Sequence, residues 1–354
     1  MKGLVLAGGK GSRLRPITHT SAKQLIPIGN KPILFYVLEN LVEAGIKEIG
    51  MIVGDTKQEI MDACGDGSEF GAKITYIPQD APLGLAHAVL TAEDFIKDDP
   101  FVMFLGDNFI KGGIKDFVDR YTNDKPNSLI LLTEVKNPSD FGIAVLKDSK
   151  VSCLEEKPKN PKSNLALVGV YLFDKNIFKA AKKIKPSFRG ELEITDAIQT
   201  LIDDNFAVNP YLVKGWWKDT GKLEDILEAN RIVLETIEPK IKGKVSKDSQ
   251  IEGRVYIAEG AEIKNSLIRG PAIIGKNAKI IDSYIGPFTS VYYDTLVEKS
   301  EIENSIILEK SQIIDIGARM ESSLIGKDVK IFKTNLKPKA IKMMVGDHGQ
   351  VGLV

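Results

Sequence analysis

Leu4-Val-Leu-Ala-Gly-Gly-Lys-Gly-Ser-Arg-Leu-Arg-Pro16 sets a glycine-rich turn directly after a short apolar run. The run reads as a buried strand, and glycines just past its end let backbone N–H groups approach a phosphate with no Cβ in the way. Lys10 and Arg13 add positive charge to the same turn. Two familiar phosphate loops do not fit. The dinucleotide fingerprint fails because Leu14 stands where its third glycine belongs, and the P-loop pattern fails because Gly9 follows Gly8 directly. The turn is therefore a phosphate loop of another kind, placed after the first strand of an α/β sheet.

Working outward, short apolar runs alternate with amphipathic stretches up to about Pro239: strand-like Gly3 to Ala7, helix-like Pro32 to Ala44, strand-like Glu48 to Val53, helix-like Gly84 to Phe95, strand-like Phe101 to Leu105. This order predicts an α/β domain with a mostly parallel sheet. Pro32 and Gly45 punctuate the first helix, and Ile33, Val37, Leu38, Leu41 and Val42 give it one apolar face to lay on the sheet. From Val245 onward the period changes. Val245, Ile251, Ile257 and Ile263 are six apart, as are Ile268, Ile274 and Ile280, and then Ile285, Val291 and Val297, with steps of five between the series. Ile263-Lys-Asn-Ser-Leu-Ile268 recurs as Ile280-Ile-Asp-Ser-Tyr-Ile285, Ile302-Glu-Asn-Ser-Ile-Ile307 and Met320-Glu-Ser-Ser-Leu-Ile325. A unit that repeats in this way cannot bury its own apolar edge but can when stacked, which predicts a parallel β-helix. The linker falls near Glu238-Pro239-Lys240.

Composition narrows the function classes. A length of 354 residues suggests two domains, and 43% hydrophobic with 27% charged residues is the balance of a folded globular chain. Lys plus Arg equals Asp plus Glu at 48 each, so the broad basic field of a nucleic-acid binder is missing and an anionic ligand must be held by a local cluster. Cys64 and Cys153 have no metal-ligand spacing around them. The longest apolar runs, Phe101 to Leu105 and Leu165 to Phe173, are far short of the roughly 20 residues of a membrane helix. With only Met1 and Lys2 ahead of the first strand there is no room for a secretory leader, so the expected address is cytoplasmic.

The first loop resembles the G-G-x-G-[ST]-R-L-x-P signature of sugar-1-phosphate nucleotidylyltransferases. The resemblance continues in order through Ser21-Ala-Lys-Gln-Leu-Ile-Pro27, Gln79 with Gly84-Leu-Ala-His-Ala88, Gly106-Asp-Asn108, Glu155-Glu-Lys-Pro158, Arg189-Gly-Glu-Leu-Glu-Ile-Thr-Asp196 and Trp217-Lys-Asp-Thr-Gly221. Asn108 after Asp107, and Leu85 after Gly84, are similar to the glucose-1-phosphate thymidylyltransferases, in the long form that adds a left-handed β-helix. The fold this implies is a Rossmann-like nucleotidyltransferase domain over residues 1–238, then a left-handed parallel β-helix with a C-terminal tail over residues 239–354. The activity it implies is attack by glucose-1-phosphate on the α-phosphate of dTTP, giving dTDP-glucose and pyrophosphate with Mg²⁺. UTP-dependent uridylyl transfer to glucose- or N-acetylglucosamine-1-phosphate is the alternative.

The same resemblance assigns residues. Asp107 and Asp219 would share the Mg²⁺, with Asp219 expected in a turn after Trp217. Arg13, Lys23 and Lys157 are the expected catalytic cations. The nucleotide would meet Leu6, Ala7, Gly8, Gly9, Gly11, Ser12 and Arg13 in the first loop, with Gln24, Gln79 and Gly84 at the base; the sugar phosphate would meet Asn108, Gly142, Glu156, Lys157 and Arg189. His87 reads as a packing residue, since an ionised phosphate nucleophile needs no base. Two rivals belong to other classes. A non-catalytic nucleotidyltransferase-like scaffold subunit is disfavoured because Arg13, Lys23, Asp107, Lys157 and Asp219 are all kept. An acetyl-transferring β-helix is disfavoured because no histidine lies between Val245 and Ile331, only His348 beyond. Every chemical motif falls at or before Gly221, which leaves the coils an expected role in assembly, as a homo-oligomer with a trimer as first guess, or in control.

Overall fold

The computed structural model describes residues 1–213, 215–334, 341 and 343–352. By contacts the chain forms two compact units: residues 1–10, 21–25 and 33–219, and residues 11–20, 26–32 and 220–354. The division is thus interleaved, while the change of secondary structure falls at Lys240, where the first short coil strand Lys240–Ile241 begins.

In the first unit, nine strands among the described residues form one sheet with Lys2–Leu6 inside it. Lys2–Leu6 runs parallel to Glu48–Val53 on one side and to Phe101–Leu105 on the other, and Glu48–Val53 is parallel to Lys73–Pro78. Successive side chains go to opposite faces. Leu4, Leu6, Phe101 and Met103 enter the core that Leu85–Thr91, Asn176–Lys183 and Ile194–Asp203 cover, whereas Val5, Ala7, Val102 and Phe104 enter the core beneath Ile33–Glu43. That last helix buries Leu34 together with Ile33, Val37, Leu38 and Leu41, and leaves Val42 half-buried, a small rotation from the face read off the sequence.

Beyond Phe101–Leu105 the sheet is mixed. Leu165–Phe173 joins it antiparallel and in turn pairs antiparallel with Ser128–Glu134 and Gly142–Lys147. Gly142–Lys147 and Lys150–Glu156 are joined only by Asp148 and Ser149, both at positive φ, a two-residue hairpin turn that makes this pair antiparallel. The stretch expected as one helix from Gly84 to Phe95 is two, Leu85–Thr91 and Glu93–Ile96, broken at Ala92.

In the second unit the six-residue pulse becomes three parallel sheets, the architecture of a left-handed β-helix. Strands of two or three residues stack coil on coil: Glu262–Lys264 on Lys279–Ile281, on Leu296–Glu298, on Gln312–Ile314. Ile257, Ile268, Ile274, Ile280, Ile285, Val291, Val297 and Ile302 are fully buried along the axis. The polar letters of the repeat turn the corners. Asn265, Asn277, Asp282, Asp294 and Asn304 take positive φ, and serine hydroxyls bond the next coil, as Ser266 Oγ does to the Ser283 amide at 3.0 Å. No helix among the described residues is long and apolar enough to cross a membrane.

Candidate active site

The glycine turn leaves the sheet at the carboxyl end of Lys2–Leu6, where open α/β sheets bind ligands. Leu6 and Ala7 are buried, and the Ala7 N–H donates to the Ile52 carbonyl at 2.8 Å, so the turn starts from a fixed point. Gly9 is closely approached by side chains: a Cβ there would stand 3.0 Å from Lys23 Cε and 3.6 Å from Gln24 Nε2. The corresponding point on Gly8 is 3.7 Å from Gln79 Oε1. Gln24 and Gln79 therefore flank the Gly8–Gly9 turn. Gln24 is buried with its Oε1 unpaired within the protein, while Gln79 Nε2 lies 2.9 Å from His87 Nδ1. His87 is half-buried and orients an amide, a role that packing alone does not describe. Gly84, just before the helix Leu85–Thr91, has its would-be Cβ direction filled by the Leu192 backbone.

Gly11 and Ser12 begin the part of the loop that groups with the second unit. Gly11 adopts the left-handed conformation and its carbonyl accepts the Thr18 hydroxyl at 2.7 Å. Ser12 and Arg13 are exposed on the short turn Ser12–Leu14. The Arg13 guanidinium lies over Gly221, where a Cβ would come 2.8 Å from Nη2; Gly221 is two residues past Asp219 in the chain.

Asp107 follows Phe101–Leu105, and its carboxylate pairs with the Lys23 ammonium. Burial opposes ionisation of Asp107, but the charge and hydrogen bond of Lys23 more than offset it and hold the carboxyl below its ordinary value. Asp219 is not in a turn. It ends the strand Trp217–Asp219, which pairs antiparallel with Asn108–Ile110 and sets Asp219 opposite Asn108. Two acidic residues far apart in sequence are thereby one residue step apart in the strand pairing. Asn108 is buried and bridges Asp107 and Trp217: its Nδ2 donates to Asp107 Oδ1 at 3.4 Å and its Oδ1 accepts the Trp217 indole N–H at 2.6 Å.

A second cluster lies around Glu156, which faces Gly142 across the hairpin. Thr195 Oγ1 donates to Glu156 Oε2 at 3.1 Å, and Arg189 Nη1 reaches Glu156 Oε1 and Glu193 Oε1, each at 3.5 Å, while its Nη2 is 3.0 Å from Glu191. Lys157 follows at positive φ with an exposed side chain. The Phe141 and Trp217 rings, with centroids 5.7 Å apart, join this cluster to the carboxylate pair. Thr195 and Glu193 carry no chemistry as isolated letters; their signal was their place in the Arg189 to Asp196 motif.

Burial, then the Glu193 carboxylate, push the Glu156 carboxyl up against the opposing pull of Lys157, Thr195 and Arg189. A raised value means that the folded chain keeps a proton the unfolded chain has released. The stabilisation is fully present below the ordinary value of 4.5 and is lost as pH rises through the folded one. Glu156→Gln is expected to flatten the fall in melting temperature over that window. Identical slopes for variant and parent would contradict the assignment.

The family pattern for nucleotidyl transferases matches residues 2–236. Glucose-1-phosphate thymidylyltransferases of Streptomyces griseus and Streptomyces antibioticus are 52% and 54% identical to the chain, in each case over 99% of both sequences. Among solved structures, a Bacillus anthracis protein assigned as a glucose-1-phosphate thymidylyltransferase, crystallised with sucrose, superposes with a TM-score of 0.63 at 38% identity, covering 68% of this chain and 98% of its own. A glycine turn flanked by two amides, a carboxylate pair with its lysine and a full-length likeness of this strength have one reading: the chain belongs to the nucleotidyl transferase family.

Proposed function

We propose that the chain transfers a thymidylyl group from dTTP to glucose-1-phosphate, releasing pyrophosphate. The observation that supports the reading is the strand register that sets Asp219 opposite Asn108, the residue after the Lys23-paired Asp107. A phosphate oxygen of the sugar phosphate attacks the α-phosphorus. As that P–O bond forms, the bond to the bridging oxygen of the β-phosphate breaks and its electron pair departs with pyrophosphate. The nucleophile is already ionised, so the protein's part is alignment and charge neutralisation. Backbone amides of Gly8, Gly9 and Gly11, with Lys23 and Arg13, meet the triphosphate; Gln24 and Gln79 meet the pyrimidine edge; Lys157 and Arg189 meet the sugar phosphate, and Glu156 the sugar hydroxyls.

Asp107 and Asp219 suit Mg²⁺. Asp107 is a buried carboxylate paired with the Lys23 cation, and no group of three or more Asp, Glu, His or Cys side chains that could hold a metal occurs among the described residues. Mg²⁺ favours such sets of one or two carboxylates completed by substrate oxygens and water. When bound, the ion would neutralise charge on the reacting phosphates. A homo-oligomer, with a trimer as working size, is part of the same proposal and is read by light scattering.

The deciding experiment crosses dTTP, UTP and other nucleoside triphosphates with glucose-1-phosphate and N-acetylglucosamine-1-phosphate in Mg²⁺, following pyrophosphate. Release is expected to be fastest with dTTP and glucose-1-phosphate. No release with any dTTP or UTP pair would overturn the proposal, and preference for UTP with N-acetylglucosamine-1-phosphate would move it to uridylyl transfer.

A further inference from the structure

Asn230 has no exposed surface, and its amide bonds three other parts of the chain. It sits on the helix Leu223–Leu234. Its Oδ1 accepts the Gly29 N–H at 2.8 Å and the Ser290 hydroxyl at 2.7 Å, and its Nδ2 donates to the Phe288 carbonyl at 3.0 Å. Gly29 and Asn30 form the turn between Pro27–Ile28 and Lys31–Pro32, with φ of 56° and 60°. Positive φ at both central residues is the two-residue hairpin turn that glycine and asparagine fill best. Asn30 Nδ2 then donates to the Val291 carbonyl at 2.8 Å. The hairpin tip is thus held at two points, by the helix and by a coil of the β-helix. A leucine at 230 would fill similar space, but it would leave three polar groups without these bonds; the amide fixes the relative register of hairpin, helix and coil.

The hairpin ends a segment that begins at the proposed nucleotide contacts. Lys23 and Gln24 lie six and five residues before Gly29. At the near end the Ala22 N–H donates to the Glu59 carboxylate at 2.7 Å. Between that anchor and the hairpin, Lys23 reaches Asp107 and Gln24 lies beside Gly9. We propose that Asn230 is a positioning residue for the nucleoside triphosphate: by clamping the Gly29–Asn30 tip to the β-helix it fixes the far end of the segment that carries Lys23 and Gln24. The proposal rests on the nucleotide roles given to those two residues above. The β-helix would then contribute to nucleotide binding with no coil residue touching the nucleotide.

The test compares Asn230→Ala, Asn30→Gly and, as a control for coil stability, Ser266→Ala. Asn30→Gly keeps a residue at ease with positive φ and removes only the bond to Val291, so it folds even if Asn230→Ala does not. Two quantities are read below each variant's melting point: KM for dTTP against KM for glucose-1-phosphate, and backbone hydrogen exchange over residues 22–30 without substrate. Asn230→Ala is expected to raise the dTTP KM about tenfold and Asn30→Gly several-fold, with the sugar-phosphate KM within about twofold and faster exchange over 22–30. Ser266→Ala should move neither quantity. Both KM values rising together, an unchanged dTTP KM, or unchanged exchange in both hairpin variants would overturn the clamp. An inactive parent chain would sink the assigned reaction instead, and the exchange measurement would still decide whether Asn230 holds the segment.

Discussion

Alanine at Asp107 or at Asp219 is expected to lower pyrophosphate release in Mg²⁺ at least about 100-fold, because one lost electrostatic stabiliser of a phosphoryl transition state is worth roughly 3 kcal/mol. Both should fold, since Asp219 lies at the end of a two-stranded pair and Asp107 in the turn after a strand whose Phe101 to Phe104 are fully buried. The two changes differ in what else they touch. Removing the Asp107 carboxylate also deprives Lys23 of that partner and Asn108 of its acceptor, so its thermal midpoint should fall further than that of Asp219→Ala. Asp107→Asn, which keeps the volume, should recover stability but not turnover. If the carboxylates act as one unit, the double variant is little slower than either single one. Near-normal rates in both single variants, measured on folded protein, would remove the pair from the mechanism.

The sequence was most readable where structure is local. Lys2–Leu6, Glu48–Val53 and Phe101–Leu105 stand where their apolar runs ended, and the six-residue pulse of Ile and Val became the buried axis of the coils. These features depend on neighbours within a few residues, and a pleat or a coil corner writes its own period. What could not be read was pairing at a distance. Asp219 reads as a turn residue after Trp217 because nothing in its vicinity announces a strand partner around Asn108. The antiparallel entry of Leu165–Phe173 is hidden for the same reason: an apolar nine-residue run has no direction until its neighbours are known. The Gly84 to Phe95 stretch has a helical pattern throughout, and only the short bonds around Ala92 reveal the break. In the candidate site, motif letters identified which residues to consider, while the partners that orient them, His87 on Gln79, Trp217 on Asn108 and Thr195 on Glu156, emerged only from the fold.

A chain ending at Lys240 keeps every proposed chemical group, and from the sequence alone it should keep its activity. The fold gives a different expectation. Truncation removes Phe288, Ser290 and Val291, and with them the bonds from Asn230 and Asn30; it also removes Arg254, which donates to the Glu235 carbonyl, and the Phe288 ring under Arg231, 4.5 Å from ring centre to guanidinium carbon. Water can replace these hydrogen bonds, so each is worth only about 1 kcal/mol net, or about 4 kcal/mol together. At roughly 2–4 °C per kcal/mol for a domain of this size, the truncated chain should melt about 10 °C or more below the full one. Assayed below that midpoint it should still release pyrophosphate but need more dTTP, whereas glucose-1-phosphate is used as before. In this chain a hairpin and a helix share a buried amide that is bonded to a coil, so calorimetry and paired KM values on the two lengths measure how far nucleotide binding depends on it. An unchanged midpoint with unchanged KM values would make the coils a passive appendage, and complete inactivity of a folded truncated chain would mean that they hold part of the site itself.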